Sequence, residues 1–211
     1  MGHARDSIYA ARSQDDLLRL LTQQPFAWLV STGGEDAAFT PLPLRAECVD
    51  GRLVALRGHL ARRNPHVARL RRDGRAQALL MGPHAYVSPS WLDDRTQAPT
   101  WNYTAAVFEL DVVLSEDEAD IRAELDALVT QMEAGRPRAW SLDDMGARYA
   151  RLAPGVTALR GEIRKVYATF KLGQDEKRQD FNQLLAGLQA GGEHALVDWM
   201  RDFADAAGTD A

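Results

Sequence analysis

Hydrophobic and polar positions along the chain predict a short helix followed by a series of strands. Leucines recur at helical spacing between Ser13 and Gln24, and this pattern ends before Pro25. The apolar runs that follow are bounded by Gly, Pro and Asp-Gly turns, which is typical of strands. The predicted strands are 26–32, 37–44, 52–57, 77–82, 85–87, 103–114 and 159–172, and residues 33–36 form the turn of the first hairpin.

Helical periodicity returns at four later places, at 65–72, at 116–133, after Ser141 and at 174–203. Pro41 and Pro43 indicate that the second strand lies at an edge or a bulge, because proline donates no hydrogen bond to a neighbouring strand. About six strands joined by short turns, with helices placed late in the chain, favour a closed antiparallel sheet over alternating βαβ units. The sequence therefore predicts a mainly β fold with helices, an α+β protein built on a small barrel.

Composition places the chain among ordinary globular proteins. Its 211 residues are 45% hydrophobic and 26% charged, and no apolar run reaches the ~18 residues that a membrane span needs. The formal net charge of −5 argues against nucleic-acid binding through the whole surface. A single cysteine, Cys48, and the absence of a leader-like segment at the start are typical of the cytoplasm, where we expect the protein to be.

The sign of the charge is inverted between Arg57 and Arg75, where seven arginines and two histidines accompany one acidic residue, Asp73. Such a patch indicates an anionic ligand. Asn64 followed by Pro65 is typical of a helix N-cap and first helical residue, so unpaired backbone N–H groups and the positive end of the helix dipole are expected beside the arginines. Together these features predict a phosphate site. The alternative to a phosphate site is a solvated basic face. A solvated face is also favoured over a nucleic-acid interface for this patch.

A second group of chemically distinctive residues lies in 82–92 and 99–103. Aromatic rings there alternate with hydroxyl and amide groups, a mixture that recognises flat ligands. The alternative is a pair of loops whose aromatic side chains cover the core. A serine hydrolase is disfavoured because no G-x-S-x-G segment occurs, and a zinc site because the histidine spacing matches no zinc pattern. The G-x-G-x-x-G and P-loop motifs are also missing from the sequence.

Three segments resemble the PaiB-type family of FMN-binding split-barrel proteins, whose members are described as negative transcriptional regulators: LRGHLARRNP at 56–65, GPHAYVSPSW at 82–91 and PTWNY at 99–103. The resemblance covers roughly residues 9–178. It implies a six-stranded antiparallel FMN-binding split barrel at residues 1–173, with a helical insert at about 115–155 and a C-terminal helical extension at 174–211. The chain departs from the family pattern at Phe39, Met132, Gly173 and Asp175.

The same resemblance implies a homodimer that holds FMN in grooves between its subunits. It places a phosphate clamp near the start of the helix after the third strand, at Arg57, Gly58, His59, Arg62 and Asn64. Thr40 and Leu42 would border the flavin ring. Trp101, Asn102 and Lys171 would lie near the site, some of them supplied by the partner subunit.

Two functions stay open for an FMN-binding protein of this type, a flavin-dependent oxidoreductase and a flavin-responsive transcriptional regulator. In the first, the flavin supplies the redox chemistry and the protein positions it. A hypothesis of a different class is a non-catalytic dimeric regulator or sensor that binds haem or another small anion, in which His59 or His84 would ligate iron. No residue in the sequence identifies a reductant, a substrate or a DNA target.

Overall fold

The computed structural model describes residues 7–33 and 37–207. Within them the strands are β1 Phe26–Ser31, β2 Ala38–Val49, β3 Arg52–Ala61, β4 Arg75–Val87, β5 Thr100–Ser115 and β6 Val156–Lys171. The α-helices are α1 Gln14–Gln23, α2 Pro65–Arg72, α3 Glu118–Glu133, α4 Ala147–Leu152, α5 Arg178–Ala190 and α6 His194–Ala207. Short 3₁₀ helices lie at Pro89–Trp91, Leu142–Met145 and Ala153–Gly155. Most of the turn expected at 33–36 falls outside the described residues.

The strands form a closed barrel in the order β1-β2-β3-β6-β5-β4. β1 pairs antiparallel with β2 and β4, and β3 pairs antiparallel with β2 and β6. Helices α3 and α4 lie in the chain between β5 and β6, and α5 and α6 follow β6. The expected α+β fold on a barrel is therefore confirmed. Among the helices described, none is long and apolar enough to cross a bilayer.

The two prolines of β2 lie in its first half, where Pro41 is opposite Trp28 and Pro43 is opposite Phe26 of β1. Pairing of β2 with β3 begins only after them, at Leu44. The missing proline N–H groups therefore remove no bond from the β2–β3 ladder. The register of β2 against β3 shifts later, between Glu47 and Cys48, rather than at the prolines.

Strand β4 is continuous, so the two strands expected at 77–82 and 85–87 are one, and the break expected at Gly82 was wrong. Gly82 is buried, and a Cβ atom there would lie 2.1 Å from the hydroxyl of Thr104 and 2.6 Å from Leu20. Glycine is therefore required at this position by close packing, not by a turn.

The chain divides into two compact units. The strand unit comprises residues 21–80 and 107–166, and the helical unit comprises residues 1–20, 81–106 and 167–211. Fully buried apolar side chains of the strand unit include Leu29, Leu44, Leu56, Phe108, Leu110 and Leu159. Those of the helical unit include Leu20, Phe170, Leu172, Leu184 and Trp199.

An aromatic cluster defines the core of the helical unit. The ring centroid of Phe170 lies 5.4 Å from that of Trp199 and 5.5 Å from that of Phe203. The guanidinium of Arg12 lies 3.7 Å from the Phe203 centroid, and that of Arg19 lies 3.9 Å from the Trp199 centroid. These cation–π contacts tie the start of the chain to α6 within this unit.

Candidate functional site

The start of α2 has the expected cap. Asn64 accepts a hydrogen bond from the backbone N–H of His66 at 2.9 Å, and Pro65 is the first helical residue. The backbone N–H of Val67 bonds the Asn64 carbonyl at 3.0 Å. Since proline has no N–H, the first turn keeps no unpaired donor, and the expectation that such donors face the arginines was wrong.

A buried chain of hydrogen bonds runs through His66, which is 1% exposed. Its Nδ1 lies 2.9 Å from the Thr40 hydroxyl, and its Nε2 lies 3.0 Å from the Ser31 hydroxyl. Ser31 donates its hydrogen to the carbonyl of Arg75 at 3.0 Å, so Ser31 must accept from Nε2. Asn64 donates to Thr40 at 3.3 Å, which leaves the Thr40 hydrogen for Nδ1.

This network holds His66 as the neutral tautomer with its proton on Nε2. A second proton on Nδ1 would face the Thr40 hydroxyl, whose own hydrogen already points there. Burial lowers the pKa of His66, and the positive charge of Arg69 lowers it further. Thr40 and Asn64 are therefore bound into the protein's own network rather than left open to a ligand.

Three arginines stand side by side on neighbouring strands of the strand unit. Arg57 of β3 is opposite Arg45 of β2 on one side and opposite Arg160 of β6 on the other. Like charges in direct register repel each other, and Glu47 relieves part of this repulsion. Its carboxylate accepts from Arg57 Nε and from Arg160 Nε, the latter at 3.0 Å.

The ionisation of Glu47 reflects this position. Burial by itself would raise the pKa of the Glu47 carboxyl, but the hydrogen bonds from Arg160 and Arg57 outweigh that effect and lower it. Glu47 is therefore held as a carboxylate. Arg57, which was expected to face a phosphate, already shares this carboxylate with Arg160.

A second acidic residue, Glu124 of α3, covers the same strands. Its Oε2 accepts from Arg45 at 2.6 Å, and its Oε1 lies 4.0 Å from Nδ1 of His59. Beyond the end of β3, Arg62 Nε lies 3.7 Å from Glu116, which also pairs with Arg71. The expected clamp therefore stands among carboxylates that the sequence pattern did not single out.

Buried nitrogen atoms of three basic side chains nevertheless have no hydrogen bond in the part of the chain that the structure describes. They are Arg45 Nε, His59 Nδ1 and Arg62 Nε. Leaving a buried N–H unpaired costs about 1–3 kcal/mol, so the Nε–H groups of Arg45 and Arg62 are open to an anionic partner. A phosphate oxygen is a partner of this kind for a guanidinium N–H.

Two other residues expected at the site are committed to the barrel interior. Leu42 is 3% exposed and belongs to the core. Gly58 is buried, and a Cβ atom there would lie 2.9 Å from both Leu44 Cδ2 and the carbonyl of Pro43. Gly58 thus serves close strand packing in β3, while the side chains beside it, Arg57 and His59, lie on the opposite face of the strand.

The helical unit holds the remaining expected residues in three different settings. Trp101 is 53% exposed, and its ring lies 6.2 Å from those of His84 and Tyr86, so these three rings form an accessible aromatic platform. Asn102 is 2% exposed and donates to the sulfur of Met200 at 3.6 Å. Lys171 Nζ donates to the hydroxyl of Thr100. Trp101 is the one of the three that is open to a flat ligand.

Two departures from the family pattern have structural roles here. Gly173 has a φ of +85°, a conformation that favours glycine. Asp175 accepts a hydrogen bond from the Tyr9 hydroxyl at 2.7 Å, and that bond is the largest of the effects that raise the pKa of Tyr9 to about 12. The carboxylate at position 175 therefore anchors the start of the chain within the helical unit.

The model of a family described as "Putative FMN-binding domain" matches residues 5–165. The chain belongs to this FMN-binding family. The expected PaiB-type resemblance, the fold and FMN as the cofactor are confirmed.

One curated relative and two solved structures illustrate the likeness. The chain is 24% identical over 183 residues to "Protease synthase and sporulation protein PAI 2" of Bacillus subtilis, with 86% of each chain covered. The flavocytochrome Anf3 from Azotobacter vinelandii aligns with a TM-score of 0.59 at 14% identity, covering 81% of this chain and 73% of that chain. The FAD and heme binding protein from Mycobacterium smegmatis aligns with a TM-score of 0.53 at 18% identity, covering 82% of this chain and 78% of that chain. The structural likenesses establish the fold alone.

Proposed function

We propose that the protein binds FMN with its phosphate at the β3–α2 junction, where His59 and Arg62 supply the charged donors. The observation that carries this proposal is that Arg62 Nε, at this junction, is buried and makes no hydrogen bond among the described residues. Arg57 adds positive charge and is not proposed as a direct donor, because Glu47 already accepts from its Nε. Asn64 and Thr40 support the site by fixing the start of α2.

In the helical unit, described by itself, Trp101 is the exposed member of the residues that the family resemblance associates with the flavin ring. Bound FMN would supply redox chemistry, and the chain's residues would fix its orientation and keep water from its face. We propose a flavin-dependent oxidoreductase or a flavin-responsive transcriptional regulator, and one experiment below separates the two.

We further propose that the protein is a homodimer. An outward face of β1, β2 and β4 in the strand unit carries large apolar side chains: Phe26 is 67% exposed, Trp28 52%, Phe39 60% and Leu79 37%. Trp28 is opposite Pro41 on one side and Leu79 on the other, so these side chains form one contiguous patch. Such patches on soluble proteins usually mark an interface, and a second copy of the chain is the occupant proposed here.

The cytoplasm is the proposed location. The single cysteine, Cys48, is free and exposed, which suits a reducing compartment.

Titration of the purified protein with FMN, followed by its visible spectrum and flavin fluorescence, tests the cofactor proposal. Saturable FMN binding, clearly tighter than riboflavin binding, is expected because riboflavin lacks the phosphate. Protein that binds neither flavin, or that purifies with a haem Soret band, would overturn it. Oxidation of NADH or NADPH by the loaded protein would identify an oxidoreductase. A flavin that stays bound without turnover would favour the regulator.

A further inference from the structure

Glu124 is a buried carboxylate on α3, 3% exposed, that stands over β2 and β3. Its Oε2 accepts a hydrogen bond from Arg45, whereas its Oε1 is buried and has no hydrogen-bond partner among residues 7–33 and 37–207. A buried carboxylate oxygen without a donor is costly. Glu124 therefore has an unused acceptor, and the position of the nearest donor decides what that acceptor does.

His59 lies beside this oxygen. Its Nδ1 lies 4.0 Å from Glu124 Oε1 and is itself buried without a hydrogen-bond partner in the described chain. That distance is too long for a hydrogen bond, but a side-chain shift of about 1 Å would bring the pair to an ordinary N–H···O distance. An unpaired donor and an unpaired acceptor thus face each other across one small gap.

We propose that Glu124 is a positioning residue for His59 and couples phosphate binding to proton uptake. With its Nδ1–H directed at Glu124, the neutral imidazole has only a lone pair on Nε2 and cannot donate to a phosphate. Donation from Nε2 requires a second proton, and the imidazolium that results is stabilised between the Glu124 carboxylate and the anionic ligand. This inference rests on the proposed FMN phosphate site.

Other charged groups surround this pair, and the proposal assigns the proton uptake to His59 rather than to them. They are Arg45 and Glu47 on β2, Arg57 on β3, Arg160 on β6, and Asp120 on α3. Arginine stays protonated throughout the useful pH range. Hydrogen bonds from Arg160 and Arg57 lower the pKa of Glu47, so it stays charged where imidazoles titrate.

Nitrogen-15 NMR of the imidazoles tests the pairing in the flavin-free protein. At neutral pH the wild type should show His59 with its proton on Nδ1, and Glu124→Gln should lose that preference. Asp120→Asn, which removes a charge from the same helix, should leave the His59 signals unchanged. Folding of each variant is checked by circular dichroism. Identical His59 signals in the wild type and a folded Glu124→Gln would overturn the inference, and so would loss of the preference in Asp120→Asn.

The pH dependence of ligand affinity gives the second readout. As the pH rises, the affinity of the wild type for FMN relative to that of Glu124→Gln should fall by up to about tenfold per pH unit, as expected for one linked proton. The second ionisation of the phosphate is common to both proteins and cancels in this comparison. Riboflavin affinity should show no such difference.

A constant FMN affinity ratio between wild type and Glu124→Gln, or an equal trend with riboflavin, would overturn the coupling. Protein that binds neither flavin would overturn the proposed function instead, while the NMR comparison would still decide whether Glu124 orients His59. The two failures are therefore distinguishable.

Discussion

Protonation of His66 should destabilise the folded chain, because hydrogen bonds on both sides hold its ring in the neutral form. The imidazole is 1% exposed, accepts from Thr40 at Nδ1 and donates from Nε2 to Ser31. Burial and the nearby charge of Arg69 lower its pKa in the folded state. Unfolding therefore takes up a proton at any pH between that lowered value and about 6.5, where a free imidazole titrates.

The sign and the size of the effect follow from this linkage. The contribution of His66 to stability is complete above about pH 6.5 and is lost progressively as the pH falls towards the lowered pKa of the folded state. One proton changes the free energy of unfolding by at most about 1.4 kcal/mol per pH unit. Between about pH 7.5 and about pH 5.5 the loss of unfolding free energy assigned to His66 is then up to about 1.4 kcal/mol. Most of this loss falls between about pH 6.5 and about pH 5.5.

Urea unfolding followed by tryptophan fluorescence measures this loss in the wild type and in His66→Gln. Glutamine can donate and accept but does not titrate, so the variant should lose less stability on acidification than the wild type does. His194→Gln, at an exposed position on α6, is the matched control and should follow the wild type. The same pH dependence in wild type and His66→Gln would refute the assignment of the neutral ring.

Three further predictions concern the proposed phosphate donor, the helical unit and the proposed dimer. Arg62→Ala should weaken FMN binding by about 10- to 100-fold, which is the effect of losing a hydrogen bond to a charged group, and should leave riboflavin binding little changed. The control Arg63→Ala should leave the binding of both flavins little changed in the same fluorescence titration. Equal losses for both flavins would contradict the role of Arg62. Trp199→Ala removes a fully buried ring and should cost about 3–5 kcal/mol in thermal or urea unfolding; a loss below about 1 kcal/mol would show that the aromatic cluster is not a core. Trp28→Glu should raise the dimer dissociation constant, measured by sedimentation, at least tenfold, which is roughly the effect of removing a central interface residue. A wild type that is monomeric at micromolar concentration would contradict the dimer itself.

The sequence predicted the elements whose signals are local. The cap at Asn64 and the proline after it fixed the start of α2, since an N-cap and a first-turn proline act within a few residues. Alternation of apolar residues located the strands, and the three family-like segments indicated the FMN-binding barrel. Local signals failed at Gly82, which the pattern marked as a break, because the reason for that glycine is a side chain on another strand.

The expected clamp was predictable as a set of basic residues, but its electrostatics were not. Two acidic residues decide the state of those cations, Glu47 from β2 and Glu124 from α3. A carboxylate at position 47 meets Arg57 and Arg160 only in the register that the barrel imposes, since a shift of one residue would turn its side chain to the other face.

By itself, then, the sequence determined the α+β barrel, the helix start beside a basic patch and the family to which the chain belongs. The tertiary structure alone decided which donors remain unpaired, that His66 is neutral and buried, and that Glu124 stands 4.0 Å from His59. The physical reason is range: helix caps and apolar periodicity depend on neighbours in sequence, whereas ion pairs and buried hydrogen bonds depend on residues that only folding brings together.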